Sequence, residues 1–109
     1  MILKRDKQTH DLSDSDILHI MDENIGNHKT FTCQVSWTGL VGTGAKVILR
    51  GSNSRIPSSF DNLAIEVELS GSSGSANLSD DRFPNDFGGA FIEKNNATEG
   101  IIILKFLAK

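Results

Sequence analysis

The chain has no tyrosine, one tryptophan, one cysteine and two prolines among its 109 residues. A lone cysteine, Cys33, cannot form an intramolecular disulfide, so the fold is not a stapled secreted scaffold, and redox chemistry is not expected. The shortage of large aromatic rings argues against a sugar-binding surface built from exposed tyrosine and tryptophan. No segment approaches the ~20 apolar residues of a membrane span. Met1 to Arg5 places its apolar residues before its charges and lacks the long apolar stretch of a signal peptide. The expectation is a chain made and assembled as a soluble protein. An excess of positive charge is also missing: the net charge is −3, and the lysines and arginines are scattered along the sequence. Direct nucleic-acid binding is therefore not expected.

With 38% hydrophobic and 23% charged residues, the chain has the composition of one ordinary globular domain. Residues 1–15 are polar, with Asp11, Asp14 and Asp16 interleaved with Ser13 and Ser15, and read as an N-terminal arm. Residues 16–109 read as a single β-sandwich domain.

Ile17 to Met21 is expected to form a short strand. Phe31, Cys33, Val35 and Trp37 alternate with Thr32, Gln34, Ser36 and Thr38 at strict period two, the mark of a one-sided strand. Ala45, Val47 and Leu49 repeat the pattern, with Lys46 and Arg50 outward, and a hairpin across Gly39 to Gly44 is expected between these two strands. Leu63, Ile65, Val67 and Leu69 alternate in the same way, and Ser75 to Leu78 is a further short strand. Phe87 to Lys94 is expected to pair with the last strand across Asn95 to Gly100. Gly88 and Gly89 mark a bulge or a close approach by another backbone. The last strand, Ile101 to Lys109, is apolar at both parities and reads as a central strand, covered on both faces, that closes the fold. The fold class is all-β, an antiparallel sandwich of about 7–8 strands with an extended N-terminal arm. Immunoglobulin-like and jelly-roll topologies require the same inward alternation, so both stay open.

Motifs that carry chemistry are sparse. Gly42-Thr43-Gly44-Ala45-Lys46 lacks the spacing of a phosphate-binding loop and opens a strand rather than a helix. Asp11, Asp14 and Asp16 lack the glycine and distal glutamate of a helix-loop-helix calcium site and read as a solvated acidic arm. His10, His19 and His28 lie nine residues apart, which gives neither a helical face nor the close pair of a zinc site. The serines cluster in turns without the Gly-x-Ser-x-Gly context of a nucleophile. Asn96-Ala97-Thr98 fits a glycosylation acceptor but is read as a turn. Trp37 shares parity with Phe31 and Val35 and is read as core. No catalytic, cofactor-binding or metal-binding residues are nominated, no cofactor is expected, and the protein is read as a non-enzyme.

Five short segments, in order, resemble a group of small structural proteins encoded in bacteriophage genomes. They are Gln34-Val35-Ser36-Trp37-Thr38-Gly39, Leu49-Arg50-Gly51-Ser52-Asn53, Ser70-Gly71-Ser72-Ser73-Gly74-Ser75, Lys94-Asn95-Asn96-Ala97-Thr98-Glu99-Gly100 and Ala108-Lys109. Two segments depart from the family pattern. An Asp-Gly-x-x-Trp stretch is replaced by Ser54 to Phe60, and a Tyr/Val-rich strand by Phe87 to Ile92. The resemblance implies a virion component (minor capsid, vertex, decoration or spike-base protein) that assembles in the host cytoplasm. It would act as a homo-oligomer in contact with other virion proteins, its arm lying on an adjacent subunit or shell protein. The alternative is a ligand- or glycan-binding β-sandwich module, with the loop around Arg55 and Phe60 as its contact surface.

Overall fold

A computed structural model of the chain describes residues 3–61 and 65–109. Among these residues it has eight strands: β1 (Lys4–Asp11), β2 (Ile17–Ile20), β3 (Phe31–Val41), β4 (Lys46–Ser52), β5 (Ile65–Glu68), β6 (Gly74–Asp80), β7 (Phe87–Glu93) and β8 (Glu99–Ala108). A 3-10 turn, Pro57–Ser59, interrupts the long connection after β4. Leu63, expected at the start of the fifth strand, lies outside the described residues.

The strands form two four-stranded sheets, ordered β1-β8-β3-β6 and β2-β7-β4-β5, with every pair antiparallel. Only β4 and β5 follow one another within a sheet; every other successive pair changes sheets. That alternation is the jelly-roll order, two interleaved Greek keys. It settles the topology that inward alternation alone leaves open.

The period-two pattern places the core as expected. Phe31, Cys33 and Val35 on β3 are fully buried and Trp37 nearly so. Val47 and Leu49 face them from β4, and Ala90 and Ile92 from β7, while Ile102, Leu104 and Phe106 complete the first sheet's inner face. Phe31, at the start of β3, packs in an aromatic group, with the Phe83 and Phe106 ring centroids 4.8 and 5.7 Å away. The Trp37 indole donates to the Gly71 carbonyl at 3.3 Å. Its ring lies over Gly74, where a Cβ would fall 2.5 Å from Cζ2.

Four expectations are corrected. The arm over residues 1–15 is in its larger part a strand: β1 pairs with β8 in continuous register from Lys4↔Ala108 to Asp11↔Ile101. Leu12, just beyond it, is fully buried. Backbone pairing at a sheet edge needs no apolar side chains, so the polar composition of β1 conceals a strand. The hairpin between β3 and β4 does not form, because the connection over residues 42–45 carries the chain from one sheet to the other. Likewise β7 does not pair with β8; β7 lies between β2 and β4, and β8 between β1 and β3. Finally, β8 is central but buried on one face only: Ile102, Leu104 and Phe106 point inward, while Ile101 is 38% exposed and Lys105 is exposed. Its odd positions belong to an outer sheet face.

At Gly89 another backbone comes close, as expected, whereas at Gly88 a side chain does, and there is no bulge, since β7 runs in unbroken register with β4. A Cβ on Gly88 would collide with the ring of Phe31, and one on Gly89 would come 2.8 Å from the His19 carbonyl oxygen.

Candidate functional site

Most of the motifs singled out above turn out to hold the chain in place. The Gly42 loop packs on the 95–97 turn: Asn96 N–H donates to the Thr43 carbonyl at 3.1 Å, and the Asn95 side chain donates to the Gly44 carbonyl at 2.6 Å. Gly42 has φ of +97°, and a Cβ there would meet Ala97 Cα at 2.7 Å. The acidic trio is divided. Asp11 accepts from the backbone and side chain of Ser13, both at 2.9 Å, while Asp16 accepts from Lys94 N–H at 3.1 Å. Among the described residues no group of three or more His, Cys, Asp or Glu side chains is placed to hold a metal ion. Phe60 is 2% exposed and cannot serve as a contact residue of its loop. Arg55 remains exposed and pairs with Asp22 at 2.9 Å. Cys33 is fully buried, and burial pushes its thiol up to about 12.

Two histidines do meet. Where the edge strands β1 and β2 face each other across the sandwich, His10 Nδ1 lies 3.0 Å from His19 Nε2. The direction of this bond follows from its neighbours. The Gln8 amide nitrogen donates to the Ile20 carbonyl at 2.7 Å and to Asp6 at 2.9 Å, leaving its oxygen to accept from His19 Nδ1–H at 3.0 Å. His19 Nε2 is then an acceptor, His10 Nδ1–H the donor, and the buried His10 Nε2 is left without a partner. Burial lowers the pKa of His10 from its ordinary value against the pull of Asp14, Asp11 and Asp16; burial and the charge of His10 lower that of His19. The pair is thus a neutral clasp between two sheet edges. Sequence spacing does not reveal it, because the contact requires β1 and β2 to lie in different sheets.

The surfaces free to meet partners are the outer faces of the sheets. On the second sheet, Leu18, Phe91 and Ile48 form one cross-strand row that ends at Glu66. Leu18, Phe87 and Phe91 are half-buried there. Arg50 lies over the Phe91 ring at 4.7 Å and Arg55 over the Phe87 ring at 5.5 Å. The outer face of the first sheet is different. Arg5, Leu107, Thr32 and Ser79 form one row, and Lys7, Lys105, Gln34 and Asn77 the next. Both rows, Ser79 excepted, line a shallow groove of about 680 Å³. No aromatic side chain belongs to either row.

No protein-family model and no curated protein matches this chain. Solved structures do match in fold. The K1 cleaved adhesin domain of Lys-gingipain from Porphyromonas gingivalis W83 superposes with a TM-score of 0.65 at 14% identity, over 93% of this chain and 72% of that one. A Bacillus endospore appendage protein, from disulfide-linked pili, matches at 0.51 and 17% identity, over 98% and 88%. A CBM4 structure matches at 0.52 and 13% identity, over 82% of this chain and 56% of its own length. At these identities the likeness is one of fold, a β-sandwich domain.

Proposed function

We propose that this protein is a non-enzymatic structural component of a bacteriophage virion, working through self-association and contact with other shell proteins. One observation carries the reading: the outer face of the second sheet holds an apolar patch, bordered by Lys46, Glu66, Glu68 and Glu93. Leu18, Ile20, Ile48, Phe87 and Phe91 gather there on three neighbouring strands, and two arginines lie over the phenylalanine rings. Aromatic residues and arginine are the types enriched at protein interfaces, whereas an ordinary solvated sheet face carries polar side chains. The ordered segments shared with phage structural proteins supply the virion context. The likeness to a pilus subunit is compatible with assembly; it would proceed here without disulfides, because Cys33 is sealed in the core. Light scattering should give a mass above that of one chain, and Phe91→Asp should return it to the monomer. Mass spectrometry of purified particles should detect the protein. A monomer that is absent from particles would sink the reading.

A second reading, a ligand-binding module, is favoured by the groove on the first sheet. It is compatible with the fold shared with an adhesin domain and a carbohydrate-binding module. Here the contact surface is the groove and not the loop around Phe60.

A further inference from the structure

The groove on the first sheet gathers positive charge on a protein whose net charge is −3. Lys7 on β1 lies directly opposite Lys105 on β8, and Arg5 stands one outward position further along, paired with Leu107. Like charges set opposite each other on a sheet face repel and cost stability. Nothing nearby relieves them: among the described residues the ion pairs within 4.0 Å are Lys4–Glu23, Lys46–Glu66 and Arg55–Asp22, none of which involves these three cations. The one carboxylate lining the groove, Asp6, is already engaged by Lys7 N–H, Gln8 and Asp22 N–H. Beside the cations, Gln34 and Asn77 are exposed.

From this arrangement we infer that the groove binds an acidic polysaccharide, a chain of sugars bearing carboxylates. The inference rests on the second reading above and specifies its ligand. Arg5 and the lysine pair stand two residues apart along the strand, about 7 Å. That separation suits charges repeated along a polymer better than a single small oxyanion. Next to them, the amides of Gln34 and Asn77 and the hydroxyl of Thr32 offer donors and acceptors for sugar hydroxyls. Single-stranded nucleic acid fits poorly, since no ring on this face can stack on a base and the protein as a whole is acidic.

Isothermal titration with polygalacturonate, neutral dextran and poly-L-glutamate tests the assignment. Polygalacturonate should bind, more weakly as salt is raised, and dextran should not. The Lys7→Gln/Lys105→Gln variant should bind polygalacturonate about tenfold more weakly. Its thermal midpoint should be unchanged or raised, because a repulsive exposed pair has been removed. A control variant outside the groove, Lys29→Gln/Lys94→Gln, should bind as the parent does. Dextran bound as tightly as polygalacturonate would overturn the acidic class and leave the ligand-binding reading standing; no binding to either would remove both. Poly-L-glutamate bound as tightly as polygalacturonate would replace the glycan with an acidic protein partner. Equal binding by the lysine variant would move the ligand elsewhere.

Discussion

The ring of Phe31 lies over Gly88, filling the space that a side chain at that position would occupy. The two residues come from opposite sheets, β3 and β7, and their contact sets the spacing of the sandwich at the end where β3 begins. Phe31 has no room to retreat, because Phe83 and Phe106 hold it from two sides. Gly88→Ala should therefore destabilise the fold by about 1–3 kcal/mol, the usual cost of overpacking a filled core. In urea denaturation, Phe31→Leu combined with Gly88→Ala should cost less than the sum of the two single changes. Strict additivity would show that the contact is not the constraint.

Cys33 should resist thiol reagents in the folded protein and react once the chain is unfolded in urea, because burial both shields the sulfur and keeps it protonated. Cys33→Ser buries a hydroxyl among apolar neighbours and should cost about 1–3 kcal/mol. Rapid labelling under native conditions would contradict this placement.

Stability should fall as the pH drops below the ordinary imidazole value of 6.5. Both clasp histidines have lowered folded-state pKa values, so the unfolded chain takes up protons first and is favoured by acid. Asp11 works in a separate window. Hydrogen bonds from Ser13 lower its pKa from 3.8, and its contribution is lost only in stronger acid. Urea midpoints at about pH 7.5 and about pH 5.5 should differ in this direction, and NMR titration should place both imidazoles below their ordinary value. Titration at or above that value would contradict the clasp.

Deleting residues 1–12 should not release a dispensable arm. The deletion would strip β1 from β8, expose a new sheet edge, remove the buried Leu12 and leave His19 without its partner. The truncated chain should be insoluble or unfolded by circular dichroism, whereas a free arm would leave the domain folded.

Which parts of this fold were legible in the sequence depends on what each strand does. β3 and β4 declare themselves because one side of each is apolar, and the positions expected to face inward, from Phe31 to Trp37 and from Ala45 to Leu49, do so. β1 stayed hidden because its inward residues Lys4, Asp6, Gln8 and His10 are polar and its place rests on backbone pairing and the histidine contact. Strand pairing is not legible at the β3–β4 and β7–β8 connections. A short turn-rich link between two strands looks the same whether the chain turns back within a sheet or crosses to the other. The groove escaped notice for a related reason: Arg5, Lys7 and Lys105 are scattered in sequence and adjacent only because β8 pairs with β1.

The place of β8 between β1 and β3 also bears on how the protein is made. The first sheet cannot be completed until β8 has been synthesised, because this inner strand comes last of the eight in chain order. Until then β1 and β3 are unpaired with their eventual neighbour, and the aliphatic side chains meant to face β8 are uncovered. Such a chain depends on late, long-range pairing, which is slow and exposes it to sticking. Production in cells should therefore respond strongly to chaperone supply and to growth temperature, more than the stability of the finished sandwich would suggest.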